Sequence, residues 1–402
     1  MTSPFPWTRL RRLLPLLLLL PLAPDAEAQP ATKAVVAFQV RVPASTPADA
    51  SLHVAGNMNG WNPGDPQWRL RRQTDGTWSG QFPCEPGYAL QFKITRGSWE
   101  TVEKDAGGGE LPNRTVEAGA ATVVRIQVAC WRDQAPAPQV THTVTGDLRL
   151  IDGFALPQLG TTRMLRILLP PGYEASDRRY PVLYMHDAQN LFDAATSFAG
   201  EWEVDETLAK LSASGGLPAL IVVGIDHGGK DRLAEYSPFR DERIPTPEGD
   251  AYADFLVQTL KPWVDRTYRT KPEAAHTALA GSSLGGLITL HTVLRHPGVF
   301  GKAACFSSSF WVGGRQMLKE VATARPDPAL RLYLDIGDRE AGAPADSRQA
   351  VQDTLDVAEA LRLRGVGSDH LRVQVASGAR HTESAWAARF PAALRWLFQT
   401  GP

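Results

Sequence analysis

The stretch Leu279-Ala280-Gly281-Ser282-Ser283-Leu284-Gly285-Gly286-Leu287 constrains the fold more than any other part of this chain. It contains G-x-S-x-G, read as Gly281, Ser283 and Gly285. In a nucleophile elbow the serine sits on a strained turn between a buried strand and a helix. The flanking glycines remove Cβ atoms where the two backbones crowd together. The surroundings suit that geometry. Residues 276–280 form a short, mostly apolar run of strand length. Leu284, Leu287, Ile288, Leu290 and Leu294 then recur at helical spacing. The motif alone also fits a small-residue loop before a helix, so the rest of the chain must decide.

With 402 residues the chain is too long for one typical core, and two domains are expected. Apolar residues make up 43% and charged residues 21%, as in a globular protein in water. The formal net charge is −1, which argues against nucleic acid or anionic lipid as a partner. Residues 1–28 read as a signal peptide. Arg9, Arg11 and Arg12 form the charged region, residues 13–22 a short apolar core, and Ala26-Glu27-Ala28 the cleavage site. A secreted or periplasmic protein is expected, with no membrane association after cleavage. Of the three cysteines, Cys84 and Cys130 are either bridged, as export permits, or two free thiols. A bridge would contribute roughly 4 kcal/mol in the chain-entropy model. Cys305 lies in an apolar run and reads as core.

Residues 29–132 contain only strand and turn signals. Short alternating runs at 34–42, 51–55, 68–71, 77–82, 89–94 and 122–128 are separated by Gly, Asn, Asp and Pro turns. Such spacing predicts an all-β, immunoglobulin-like sandwich. The segment is rich in tryptophan: Trp61, Trp68, Trp78 and Trp99. Residues Val54 to Trp61, the W-S-G-Q-F run at 78–82, Phe92-Lys93, Trp99-Glu100 and Asn113-Arg114 resemble the starch-binding type of carbohydrate-binding module. The resemblance implies a glucan site at Trp61, Lys93, Trp99, Glu100 and Asn113, and a polysaccharide partner. The W-E and N-R pairs are spaced more widely than in that family, by an insertion from Thr101 to Pro112. Residues 133–144 are proline-rich at their centre and read as a linker.

From residue 145 to 402 strands alternate with helices, which predicts an α/β fold with a mainly parallel sheet. Strands are expected at 163–169, 181–185, 219–225, 276–280, 303–307, 330–336 and 371–376. Helices are expected at 203–211, 249–266, 284–294, 347–364 and 383–398. A serine nucleophile needs a histidine base and an orienting acid. In α/β-hydrolases the chain order is serine, acid, histidine. His381 is the histidine that lies in a loop between the last strand and the last helix. The acid should follow the preceding strand, where Asp338 and Glu340 both stand, with Glu340 preferred. The oxyanion hole is expected from the backbone N–H groups of Leu284 and Gln189. No spacing of His, Cys or acidic residues suggests a metal, and no cofactor is expected.

At these residues the second domain resembles an esterase family that includes enterochelin, feruloyl and acetyl-xylan esterases, the esterase D type and mycolyltransferases. The carrying segments are 181–192, Gly224-Ile225-Asp226, Glu235-Tyr236-Ser237-Pro238, 280–287, Ser307 to Trp311, and 378–381 with Trp386. Ala188 replaces the usual glycine of H-D-G-Q. The resemblance implies an α/β hydrolase working through an acyl-enzyme on Ser283, with Trp202, Arg232, Tyr236 and Trp311 in the pocket wall. The expected substrate is a small-molecule or carbohydrate ester. A siderophore-ester hydrolase and an acyltransferase are alternatives on the same site. A non-catalytic glycan-binding protein is the alternative of another class.

Overall fold

The computed structural model describes residues 33–135, 142–197 and 200–399. The signal peptide expected at 1–28 and the centre of the expected linker lie outside the described residues. Among those described, no helix is long and apolar enough to cross a membrane.

The N-terminal region is all β. Its seven main strands are β1 (Ala34–Arg41), β2 (Leu52–Gly56), β3 (Arg69–Arg72), β4 (Trp78–Cys84), β5 (Ala89–Thr95), β6 (Arg114–Glu117) and β7 (Ala121–Gln127). They form one sheet in the order β6-β5-β2-β3-β4-β1-β7. Strand β1 alternates buried and exposed residues, so Val36, Phe38 and Val40 share the core face. Phe38 of β1 and Phe92 of β5 stand far apart in strand order, yet their rings meet edge-on at 5.1 Å. The sheet therefore folds back on itself around a core of its own, with β3 paired to both β2 and β4 at the fold. In place of two separate sheets, one continuous sheet supplies both faces. Cys84 and Cys130 are free, so no disulfide braces this region.

The C-terminal region is built on eight strands: β8 (Asp147–Leu156), β9 (Thr161–Leu169), β10 (Val182–His186), β11 (Ile221–Ile225), β12 (Thr277–Ser282), β13 (Lys302–Phe306), β14 (Arg331–Arg339) and β15 (Leu371–Arg380). Their order is β8-β9-β11-β10-β12-β13-β14-β15. The first two strands are antiparallel to their neighbours and the rest run parallel. Parallel strands are covered on both faces, which is why β10, β11 and β12 are fully buried. One face packs on Leu284–Arg295 (α2), Val312–Thr323 (α3) and Pro344–Leu363 (α4). The other packs on Val204–Ala213 (α1) and Glu383–Phe398 (α5). Gly249 to Thr267 is one helical run interrupted by a π-helical turn at Leu256–Leu260. Strand β8 and helix α3 are additions to the elements expected from sequence.

Candidate active site

The C-terminal ends of the parallel strands, where open α/β sheets usually bind ligands, bring four polar residues together. Ser283 follows β12, Ser307 follows β13, Glu340 follows β14 and His381 follows β15. Ser283 caps α2 with φ 59° and ψ −123°, a backbone conformation that a non-glycine residue holds only under constraint. Its N–H donates to Phe306 O at 2.9 Å, and its carbonyl accepts from Ser309 N–H at 3.1 Å. Its Oγ lies 3.3 Å from Ser309 Oγ.

Close packing explains the glycines. A Cβ on Gly281 would stand 2.7 Å from the Gly285 backbone. A Cβ on Gly286 would stand 2.2 Å from Ser308 Oγ. On Gly285 the nearest contacts would be 3.4 Å, ordinary van der Waals distance. Space is therefore tightest at Gly281 and at Gly286, one residue past the end of the motif. Gly224 plays the same part for Ala188: a Cβ there would meet the Ala188 methyl at 2.7 Å.

The register of β14 and β15 pairs Arg339 with Arg380. The next residue on each strand is then Glu340 and His381, so adjacent parallel strands deliver the two side by side. His381 Nδ1 lies 2.6 Å from Glu340 Oε2. Glu340 Oε1 accepts from Ser307 Oγ and from Gly337 N–H, both at 2.6 Å. Burial alone would push the Glu340 carboxyl up, but the bonds from His381, Ser307 and Gly337 outweigh it and hold it below the ordinary value. Behind it, Ser307 Oγ accepts from Trp386 Nε1 and Arg389 Nη2, both at 2.9 Å. Arg389 also donates twice to Asp335, which is fully buried. Burial pushes the Asp335 carboxyl up to about 6 despite that pairing. Asp338 stands apart from this network. Its exposed carboxylate accepts from Gly378 N–H at 2.7 Å and ties two loops together.

Leu284 is the first residue of α2, where backbone N–H groups lack intrahelical acceptors. Gln189 lies in a single 3₁₀ turn, Ala188–Asn190, after β10. Its side-chain oxygen accepts from His227 N–H at 3.2 Å, and its neighbours Asp187 and Asn190 line the cleft beside Ser283. Arg232 makes a two-pronged ion pair with Asp187, at 2.6 and 2.8 Å. Burial opposes the charge on both partners, yet each stabilises the other, so both stay ionised. His186, behind them, is pushed down to about 4 by burial and is neutral.

The cleft has a volume of about 780 Å³ and is walled by both regions of the chain. The α/β side supplies Ser283, His381, Trp202, Arg232 and Trp311. The β side supplies Asn57, Trp61, Tyr88, Gln91, Lys93, Trp99 and Asn113. The Trp61 and Trp99 rings lie 6.4 Å apart and tilted by 37°. Trp311 is 42% exposed, and the Arg243 guanidinium covers its ring at 4.5 Å. A second cavity of about 500 Å³ shares Ser283, Trp311, Glu340 and His381, and extends to Ile336 and Ala350.

Two expected site residues fall elsewhere. Glu100 is exposed and does not line the cleft, because Trp99–Thr101 is a single 3₁₀ turn whose successive side chains diverge. Tyr236 is fully buried behind the wall, with its ring against His186 and its hydroxyl accepting from Asp187 N–H at 3.4 Å. Trp202 is mainly core, packed on Phe306, Trp386 and Phe390, with one edge in the cleft. Lys93 is buried beside Glu110 at 3.8 Å, a partner supplied by the insertion at 101–112. Sequence reasoning missed Asn57, Tyr88, Gln91 and Arg243, which carry no local signal that they line a cleft. The buried thiol of Cys305 is pushed far up and packs as core. Among the described residues, Glu201, Asp205 and Glu206 bring carboxylate oxygens within 4.8 Å of one another, outside the cleft lining.

A family model described as "Putative esterase" matches residues 157–397. The chain is 26% identical over 324 residues to an endo-1,4-beta-xylanase/feruloyl esterase of Xylanibacter ruminicola, a match covering 79% of this chain and 39% of that protein. Over 100 residues it is 44% identical to an alpha-amylase of Niallia circulans, covering 25% of this chain and 8% of that enzyme. The chain thus spans well under half the length of both relatives. Among solved structures, the enterobactin esterase from Shigella flexneri superposes with a TM-score of 0.57 at 16% identity, covering 90% of this chain and 92% of that one.

Proposed function

Because the chain belongs to the esterase family and is an ester hydrolase, we propose that it is a serine esterase whose substrate is an ester of a sugar or polysaccharide. The observation that carries this reading is the shared cleft. Ser283, the His381–Glu340 pair and the tryptophans Trp61 and Trp99 all face one space.

In the proposed mechanism Ser283 Oγ leaves Ser309, gives its proton to His381 Nε2 and attacks the ester carbonyl. The Leu284 and Gln189 N–H groups receive the oxyanion. Glu340 fixes the His381 tautomer through Nδ1 and stabilises the imidazolium that forms. His381 then protonates the departing alcohol, and water releases the acyl group by the same route. Sugar rings present apolar faces that stack on exposed aromatic rings. The alcohol part of the ester is therefore assigned to the wall that carries Trp61 and Trp99, beside Asn57, Gln91 and Asn113. The second cavity, beyond Trp311, takes the acyl part. The identity that a 100-residue stretch of the chain shares with an alpha-amylase supports a glucan-type ligand. The signal peptide read from the sequence at 1–28 supports export, which N-terminal sequencing of the mature protein tests.

The test is an ester panel on the mature protein: acetylated and feruloylated oligosaccharides, a siderophore trilactone and p-nitrophenyl acetate. Preference for the oligosaccharide esters supports the reading, and preference for the trilactone contradicts it. Comparing release to water with transfer to an added alcohol separates hydrolase from acyltransferase.

A further inference from the structure

The β region touches the α/β region on both sides of Glu340. On one side, Arg339 Nη1 lies 2.8 Å from Glu117 Oε2 at the end of β6. On the other, the Ala89 N–H at the start of β5 donates to Gly342 O at 2.6 Å. The Tyr88 ring lies directly on Gly342: a Cβ at Gly342 would stand 2.2 Å from the ring. Residue 342 is thus glycine because another domain occupies its side-chain space. The Ala89 peptide is itself held from the cleft side, since Asn57 Nδ2 donates to Ala89 O at 2.9 Å.

We propose that the β region is a positioning element for catalysis. By clamping Arg339, just before Glu340, and Gly342, two residues after it, it sets the carboxylate that orients His381. This rests on the reading of Glu340 as the orienting acid. The exposed Arg339–Glu117 pair contributes little by itself, because solvent screens it. The half-buried seam of Tyr88, Ala89 and Gly342 does most of the holding. Misplacing a catalytic group by about 1 Å from a distance can cost up to ~100-fold in rate. An acid loop released from its clamp should therefore lower kcat while leaving KM for a small ester nearly unchanged.

The experiment uses the full mature chain and p-nitrophenyl acetate, a substrate too small to need the sugar wall. Gly342→Ala forces the Tyr88 ring away from the loop, and a loss of about tenfold or more in kcat is expected, with KM within about twofold. Tyr88→Ala removes the ring packed on Gly342 and should lower kcat in the same way. Ala89→Pro deletes the single donor to Gly342 O at the first residue of a strand, where proline is tolerated, and should reproduce the kcat loss. It also serves if Gly342→Ala does not fold. A folded Gly342→Ala or Ala89→Pro enzyme with kcat within about twofold of wild type overturns the proposal. So does a folded Tyr88→Ala enzyme with kcat within about twofold of wild type. Ser283→Ala in the same assay keeps the two readings apart. If that variant stays active, the serine mechanism fails; if it is inactive and the seam variants are unaffected, only the clamp fails.

Discussion

Glu340 and His381 leave adjacent parallel strands one residue past a register pair, Arg339 with Arg380, and meet at 2.6 Å. The sheet places both side chains, with almost no loop between strand and side chain. Glu340→Gln keeps the shape but loses the charge that fixes the imidazole tautomer. A fall in kcat of about 10²–10⁴-fold is expected, by analogy with loss of the acid in serine-protease triads. Asp338→Asn, which alters only a loop tie, should stay within about threefold of wild type. Steady-state hydrolysis of p-nitrophenyl acetate measures both.

The same carboxylate links activity to acid stability. Its folded-state pKa is held below the ordinary 4.5, by bonds that outweigh burial. A depressed carboxyl contributes stability that is complete above its unfolded value and is lost as pH falls through the folded value. Urea unfolding of wild type and Glu340→Gln should therefore show a stability difference that shrinks as the pH is lowered from about 4.5. A difference that grows over that range would show that another group dominates.

Beneath the site, Arg389 joins Asp335 and Ser307, all three buried. Arg389→Leu leaves Asp335 as an unpaired buried charge and removes a donor from the Ser307 hydroxyl that holds Glu340. Breaking a buried pair in this way costs about 3–5 kcal/mol. Denaturant unfolding at neutral pH should show a loss of that order.

The elbow makes a finer prediction. Gly281→Ala and Gly286→Ala place a methyl against neighbours at 2.7 and 2.2 Å, whereas Gly285→Ala meets nothing closer than 3.4 Å. Overpacking of this kind costs about 1–3 kcal/mol. Thermal unfolding should rank Gly285→Ala as the mildest of the three.

Trp61→Ala and Trp99→Ala bear on the sugar wall. Each should lower kcat/KM on an acylated oligosaccharide about tenfold more than on p-nitrophenyl acetate, given the ~1–3 kcal/mol that an aromatic group contributes at a binding hot spot. Equal losses on both substrates would remove the tryptophans from the sugar wall.

What could be read from the sequence follows the range of the forces involved. The loops that carry His381 and Glu340 are marked in the sequence, because each follows within a few residues of a strand-length apolar run. That Glu340 rather than Asp338 stands beside His381 is set by the sheet register, a non-local property. Helix α3 was missed because Gly313, Gly314 and Arg315 have positive φ and break its periodicity. Strand β8 lies at the sheet edge with a bulge between Ile151 and Phe154, so its alternation is broken. Tyr88 and Gly342 carry no local sign of their contact, because the space each needs is set by the other region. Glu100 was carried over from a family pattern as a neighbour of Trp99, but the turn at 99–101 separates them.

The central claim is that Ser283 is the nucleophile. A fluorophosphonate probe on the mature protein, followed by peptide mass mapping, tests it most directly. One adduct on the peptide containing Ser283 is predicted, together with loss of p-nitrophenyl acetate hydrolysis in Ser283→Ala. An adduct elsewhere, or a Ser283→Ala enzyme hydrolysing at the wild-type rate, would contradict the account.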